Sequence, residues 1–307
     1  MRKARYYVSD SPKEGFKIHP AFVGENGKIR PYIYLSAFEG SIFDASTSSY
    51  LMNDEQLADY AEDMMSSIPG SKPASGISQS LTRANARKLA ENRGTGWMQA
   101  YSASASLTQM LFAIEYGSFN TQEALAYGVL GKPTGKGNES ELTGATTSLG
   151  NESGFVEHNG SEVPTYRGEE NFYGNIWKWV DGLNYQGDEG RRNIYVATHG
   201  FVDNTDAEPF EDIGFTLPGT NGYISAFGYG NENLDWLFFA SETGGNSSVP
   251  VGDYNYTSSA GWRVALLGGY WPLSANAGGF CWTLDVSSGG SGRDIGCRLV
   301  YAPKGGN

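Results

Sequence analysis

Residues 268–299 read GGYWPLSANAGGFCWTLDVSSGGSGRDIGCRL. Two kinds of residue are mixed in them. Gly268, Gly269, Trp271, Asn276, Trp282, Arg293, Ile295 and Arg298 suit backbone geometry, packing or hydrogen bonding. Pro272, Leu273, Cys281, Thr283, Asp285, Val286 and Cys297 carry no such signature. Glycine takes turns that other residues resist, tryptophan brings a large apolar body with one donor, and arginine offers a fork of donors to carbonyls. The stretch reads as a fixed frame holding freely chosen side chains.

Upstream lie the elements that could support such a frame. In an extended Asn175-Ile176-Trp177-Lys178-Trp179-Val180, Trp177 and Trp179 share one face while Ile176, Lys178 and Val180 share the other. Trp262-Arg263-Val264-Ala265-Leu266-Leu267 reads as a second buried strand, which leaves through Gly268-Gly269. Helices are expected at Thr82–Asn92, stopped by Gly94, and at Ser104–Tyr116, with Leu107, Leu111 and Ile114 on one face and Gly117 as the stop. A shorter helix is expected at Thr121–Tyr127, ended by Gly128, and another at Asp54–Ser67, capped by Asn53. Gly24-Glu25-Asn26-Gly27 carries the Asn-Gly hairpin signal. Residues 1–79 therefore read as a small β-rich module ending in the Pro/Gly/Ser-rich stretch 69–80, and residues 80–307 as the main domain. Helices followed by an irregular β half point to an α+β fold and not to alternating βαβ units.

Composition excludes several functions. Aromatic residues reach 13%, enough to fold a core and exclude disorder. The net charge of −12 is concentrated in residues 139–256, with 4 basic against 19 acidic side chains, which disfavours a nucleic-acid partner. The start, MRKARYYVSD, has no apolar signal-peptide core, and no stretch is long and apolar enough to be a transmembrane helix.

Catalytic signals are weak. His19, His158 and His199 have no second ligand at metal spacing, and no G-x-S-x-G elbow is present. Cys281 and Cys297 are too far apart for a C-x-x-C pair, and free thiols are expected. Asp203, Asp206, Glu208 and Asp212 lack EF-hand spacing. The residues call for no catalytic group, no metal and no cofactor.

Asn175-Ile176-Trp177-Lys178-Trp179, Trp262-Arg263-Val264, Gly268-Gly269-Tyr270-Trp271 and Arg293-Asp294-Ile295-Gly296-Cys297-Arg298-Leu299 together resemble the formylglycine-generating-enzyme-like branch of the C-type lectin fold. The resemblance covers roughly residues 166–303 and extends back toward the helices from about residue 80. Within that branch the chain looks most like the variable proteins of diversity-generating retroelements, in their phage and prophage form. There, adenine-directed mutagenic reverse transcription rewrites the C-terminal lectin loop. The closely spaced cysteine pair of formylglycine-generating enzymes is missing, as are the calcium-lectin motifs; Glu208-Pro209 is followed by Phe210.

The resemblance implies a non-catalytic tail-tip adhesin, made in the bacterial cytoplasm and carried on the virion. Its partners would be a host-surface protein or glycan, other tail proteins and copies of itself, with a trimer as the expected assembly. A fixed-specificity bacterial surface lectin is the alternative, and an oxidase of the formylglycine-generating type a weaker one. Gly268, Gly269, Trp271, Asn276, Trp282, Arg293 and Arg298 would be scaffold, with Arg293, Arg298 and Asn276 hydrogen-bonding loop carbonyls. The exposed, variable contacts would be Tyr270, Pro272, Leu273, Ser274, Phe280, Cys281, Thr283, Leu284, Asp285, Val286, Gly289, Gly290, Asp294 and Cys297.

Overall fold

The computed structural model describes residues 6–188, 190–257 and 260–303. Its architecture is α+β and mostly β. A nine-stranded sheet runs in the order Glu211–Asp212, Asn193–Val196, Trp177–Gln186, Trp262–Leu267, Trp282–Val286, Tyr254–Thr257, Gly222–Phe227, Ala240–Thr243, and Ile295–Gly296 pairs beside Trp177. Most pairings are antiparallel; Tyr254–Thr257 with Trp282–Val286, and Ile295–Gly296 with Trp177–Gln186, are parallel.

The pleat sorts the side chains as alternation dictates. Trp177, Trp179, Val264, Leu266 and Cys281 join one core with Ile42, Met65 and Leu89. Val180, Ala265, Leu267, Trp282 and Leu284 join another, together with Ala21, Tyr101 and Val300. A third, aromatic core gathers Phe112, Tyr166, Phe172, Tyr173, Phe238 and Phe280. Because both faces of the Trp177–Gln186 strand are covered, all ten of its residues are buried.

Among the described residues three α-helices pack on this frame. Arg83–Glu91 is started by Thr82, whose side chain accepts from Asn85 N. Ser102–Tyr116 stops at Gly117, which takes the left-handed conformation at φ +62°. Its buried side is the polar one, including Ser104, Thr108 and Gln109 as well as Phe112. Leu107, Leu111 and Ile114 do share a face, but it is half-buried and lines a cleft with Phe16 and Ile18. The third helix covers only Thr121–Ala124, because Leu125 has already left helical geometry at φ −126° and ψ −64°.

The helix expected at 54–67 does not form; only a short strand, Met64–Ser66, is regular there. Local hydrogen bonds account for this. The Asp54 carboxylate takes Ser75 N at 2.5 Å and the Ser75 hydroxyl, while Asp63 takes Asp59 N at 2.7 Å and Ala45 N at 3.0 Å. Residues 1–79 are rich in strands, and these are stitched into the rest of the chain. Tyr34–Leu35 pairs with Leu299–Tyr301, and in the 69–80 stretch Ala74 N donates to Gly40 O at 2.8 Å and Gly76 N to Gly292 O at 2.9 Å.

Candidate binding face

The main chain of 268–299 is held from outside itself. Gly131 N donates to Leu273 O at 2.6 Å, Lys132 N to Trp271 O at 2.9 Å, and Trp271 N to Asn175 O at 3.1 Å. Arg293 Nη1 reaches the carbonyls of Gly135 and, at 3.2 Å, Gly137. Arg298 reaches Ser36 O at 2.8 Å and Glu170 O. Both arginines thus serve carbonyls that irregular backbone leaves unpaired. Gly269, at φ +84°, sits so close to Ala277 that a Cβ would lie 2.5 Å from the Ala277 Cβ. Trp271 is fully buried, and Trp282 is anchored by its Nε1 donating to Phe238 O at 2.9 Å.

Asn276 behaves differently from the expectation. Its Oδ1 accepts from the Tyr223 hydroxyl at 2.7 Å, and its Nδ2 donates to the Tyr256 hydroxyl at 3.1 Å, so it bonds side chains and no carbonyl. The reason is topological: the strands carrying Tyr223 and Tyr256 are brought to it by the 222–255 pairing.

Exposure divides the fourteen expected contact residues. Ser274, Asp285 and Gly289 are exposed, and Tyr270, Pro272, Leu273, Val286, Gly290 and Asp294 are half-buried. Phe280, Cys281, Thr283, Leu284 and Cys297 are buried, against expectation. Alternation puts Cys281 and Thr283 on one face of the sheet and Leu284 on the other; Cys281 joins the core of Trp177 and Val264, and Leu284 the core of Tyr101 and Leu237. Phe280 packs edge-on to Phe119 at 5.3 Å and Phe238 at 5.4 Å. Cys297 lies against Gly40, where a Cβ would come within 2.6 Å of its Sγ.

The exposed part continues onto residues that the sequence reading left out. Tyr254 and Tyr256 lie 4.7 Å apart between ring centroids, and Tyr223 meets Tyr254 at 5.1 Å. Trp177 bridges Tyr256 and Tyr270, at 6.3 and 6.2 Å. Tyr256, Tyr270, Leu273 and Val286 all pack against the same core. The Tyr-Asn-Tyr spacing at 254–256 is the signal that could have found this pair, since i and i+2 share a strand face. Burial pushes the Tyr223, Tyr256 and Tyr270 hydroxyls upward from their ordinary value, so they remain neutral phenols that can donate and accept. The face is therefore aromatic and hydroxyl-rich, with Asp285, Arg293 and Asp294 as its charges.

Other candidate groups are used elsewhere. Both cysteines are free and buried, and burial pushes the Cys297 thiol up to about 12 and the Cys281 thiol upward as well. Such thiols resist forming the thiolate that nucleophilic or redox chemistry needs. Asp203 pairs with Arg83 at 2.5 Å and Arg87 at 2.8 Å, and Asp212 accepts from Asn193 Nδ2 at 2.6 Å, so they do not converge on a cation. Among the described residues no group of three or more His, Cys, Asp or Glu is placed to hold a metal. His19 accepts Ala21 N through Nδ1 at 3.2 Å, His158 lies 4.0 Å from Glu141, and His199 lines a separate cleft.

No protein-family model matches the chain, and no curated protein is significantly similar to it. No helix among the described residues is long and apolar enough to cross a membrane.

Proposed function

We propose that this chain is a non-catalytic ligand-binding protein with a C-type lectin-like fold. Its binding face combines Tyr270, Pro272, Leu273, Ser274, Asp285, Val286, Gly289, Gly290 and Asp294 with the fixed Tyr223, Tyr254 and Tyr256. In this reading it is a phage or prophage tail-tip adhesin whose exposed loop positions are diversified by mutagenic reverse transcription. One observation carries the reading. The segment is fastened through backbone atoms at Trp271, Leu273 and Gly292, so neighbouring side chains can change without losing those bonds.

A preorganised face of this kind loses little entropy on binding. Rigid tyrosines beside Ser and Gly combine large contact area with adaptable hydrogen bonding. With few charges on it, the face suits a neutral, partly apolar patch of a host-surface protein or glycan. Homo-oligomers arrayed on a virion would raise weak single contacts through effective concentration.

The oxidase alternative loses support from the two buried thiols with raised pKa values. Sequencing the 3′ end of the gene across a population of carriers tests the proposal. Adenine-templated substitutions at the nine exposed or half-buried positions, sparing Trp271, Phe280, Trp282 and Cys297, are expected. A uniform sequence there would leave a fixed-ligand lectin as the better account.

A further inference from the structure

A cleft of about 770 Å³ is lined by Arg30, Trp97, Met98, His199 and Phe201, with the exposed Glu25 and Glu91 also on its walls. It contains no residue of 268–299 and none of the three fixed tyrosines. Its size falls in the range of small-molecule sites, roughly 300–1,000 Å³.

Arg30 distinguishes it. The residue is only 7% exposed. Nη1 donates to Ala21 O at 3.2 Å and to the Tyr101 hydroxyl at 3.3 Å, and Nε is buried without a partner. Among the described residues no carboxylate lies within ion-pair distance of it, whereas Arg83, Arg87 and Arg298 each have one. Arg87, on the same cleft, is occupied by Asp181 at 2.6 Å and Asp203 at 2.8 Å. An arginine cannot escape burial by losing its proton. A buried charge with no countercharge is costly, and an anion entering from the cleft would offset that cost.

We propose that this cleft binds a small ring compound bearing one carboxylate, an aromatic or sugar acid. The carboxylate would meet Arg30 and the ring would lie against Trp97 and Phe201. Exposed Glu25 and Glu91 repel polyanions and leave room for a ligand whose far end is neutral or cationic. Because the lining lies outside 268–299, this recognition would stay constant while the loop changed.

The test is calorimetric titration of the full chain with D-glucuronate, N-acetylneuraminate and 3-phenylpropionate, each beside its methyl ester. At least one acid should saturate one site, with its ester at least about tenfold weaker. Sugar and aromatic acids report which ring the walls prefer. Arg30→Gln should abolish that binding with its cooperative unfolding transition retained, and Trp97→Ala should weaken it. Saturation by none of the acids, equal binding of acid and ester, or full binding by Arg30→Gln would overturn the proposal. Should Arg30→Gln not fold, Trp97→Ala and His199→Ala take its place, and unchanged affinity in both would overturn it.

Discussion

The Trp177–Gln186 strand and the 270–294 segment are both held tightly, with a different division of work between side chains and main chain. In the strand, buried side chains add their own bonds to the backbone ladders on both edges. Lys178 pairs with Glu39 at 3.3 Å and donates to Gly174 O at 2.6 Å; Asp181 holds Arg87 and Gln99; Asn184 accepts from Arg83 at 2.7 Å and donates to two carbonyls at 2.9 Å. In the segment the main chain is fastened, by Gly131, Lys132, Asn175 and Gly76. A strand specified by side chains cannot change its sequence. A segment specified by backbone can, wherever its side chains reach solvent.

The contrast can be broken at several strengths. Arg83→Met leaves Asp203 with Arg87 alone and removes donors to Val180 O, Leu183 O and Asn184. It should cost about 3–5 kcal/mol in urea unfolding, the scale for breaking a buried ion pair. Leu284→Ala, inside the segment but fully buried, should cost about 2–5 kcal/mol by the same measurement. A loss near zero would mean that the buried half of the segment is as permissive as the exposed half. Gly269→Ala brings a methyl against Ala277 at a positive φ and should cost about 1–3 kcal/mol.

His19 offers a pH probe. Burial lowers it to about 4, so the folded state prefers the neutral ring. Its stabilising share is whole above pH 6.5 and is lost as pH falls toward 4. Thermal melts of the wild type should therefore drop more steeply across that window than those of His19→Gln. The smallest effect is expected at Asp285→Lys, which is exposed and should change stability by no more than about 0.5 kcal/mol.

The legible parts of the sequence were those set locally. Thr82 and Gly117 marked helix ends because capping needs only neighbours, and the alternation at 176–180 sorted Trp177 and Trp179 from Val180. Arg293 and Arg298 could be assigned to carbonyls by their donor geometry. What failed depended on distant partners. Asp54 gives its carboxylate to Ser75 and Asn138, and no helix starts there. The burial of Cys281 and Leu284 follows from the two cores packed on opposite faces of the sheet, built largely from residues far away in sequence. The helix at 102–116 buries its polar side because Thr108 meets Glu169 and Gln109 meets Gly279 O, both at 2.8 Å. The Tyr-Asn-Tyr alternation marks Tyr254 and Tyr256 as sharing a strand face, but the pairing that sets Tyr223 beside them is encoded in no local pattern.

The most direct test is a saturation library read by protease resistance on a display host, covering both halves of the segment at once. Substitutions at Tyr270, Pro272, Leu273, Ser274, Asp285, Val286, Gly289 and Asp294 should leave most variants folded, with Gly290 less tolerant because a Cβ there would lie 2.9 Å from Ser287 O. Those at Phe280, Cys281, Thr283, Leu284 and Cys297 should leave few. Equal tolerance in the two sets, or collapse at the exposed and half-buried positions, would contradict a backbone-fastened face built to vary.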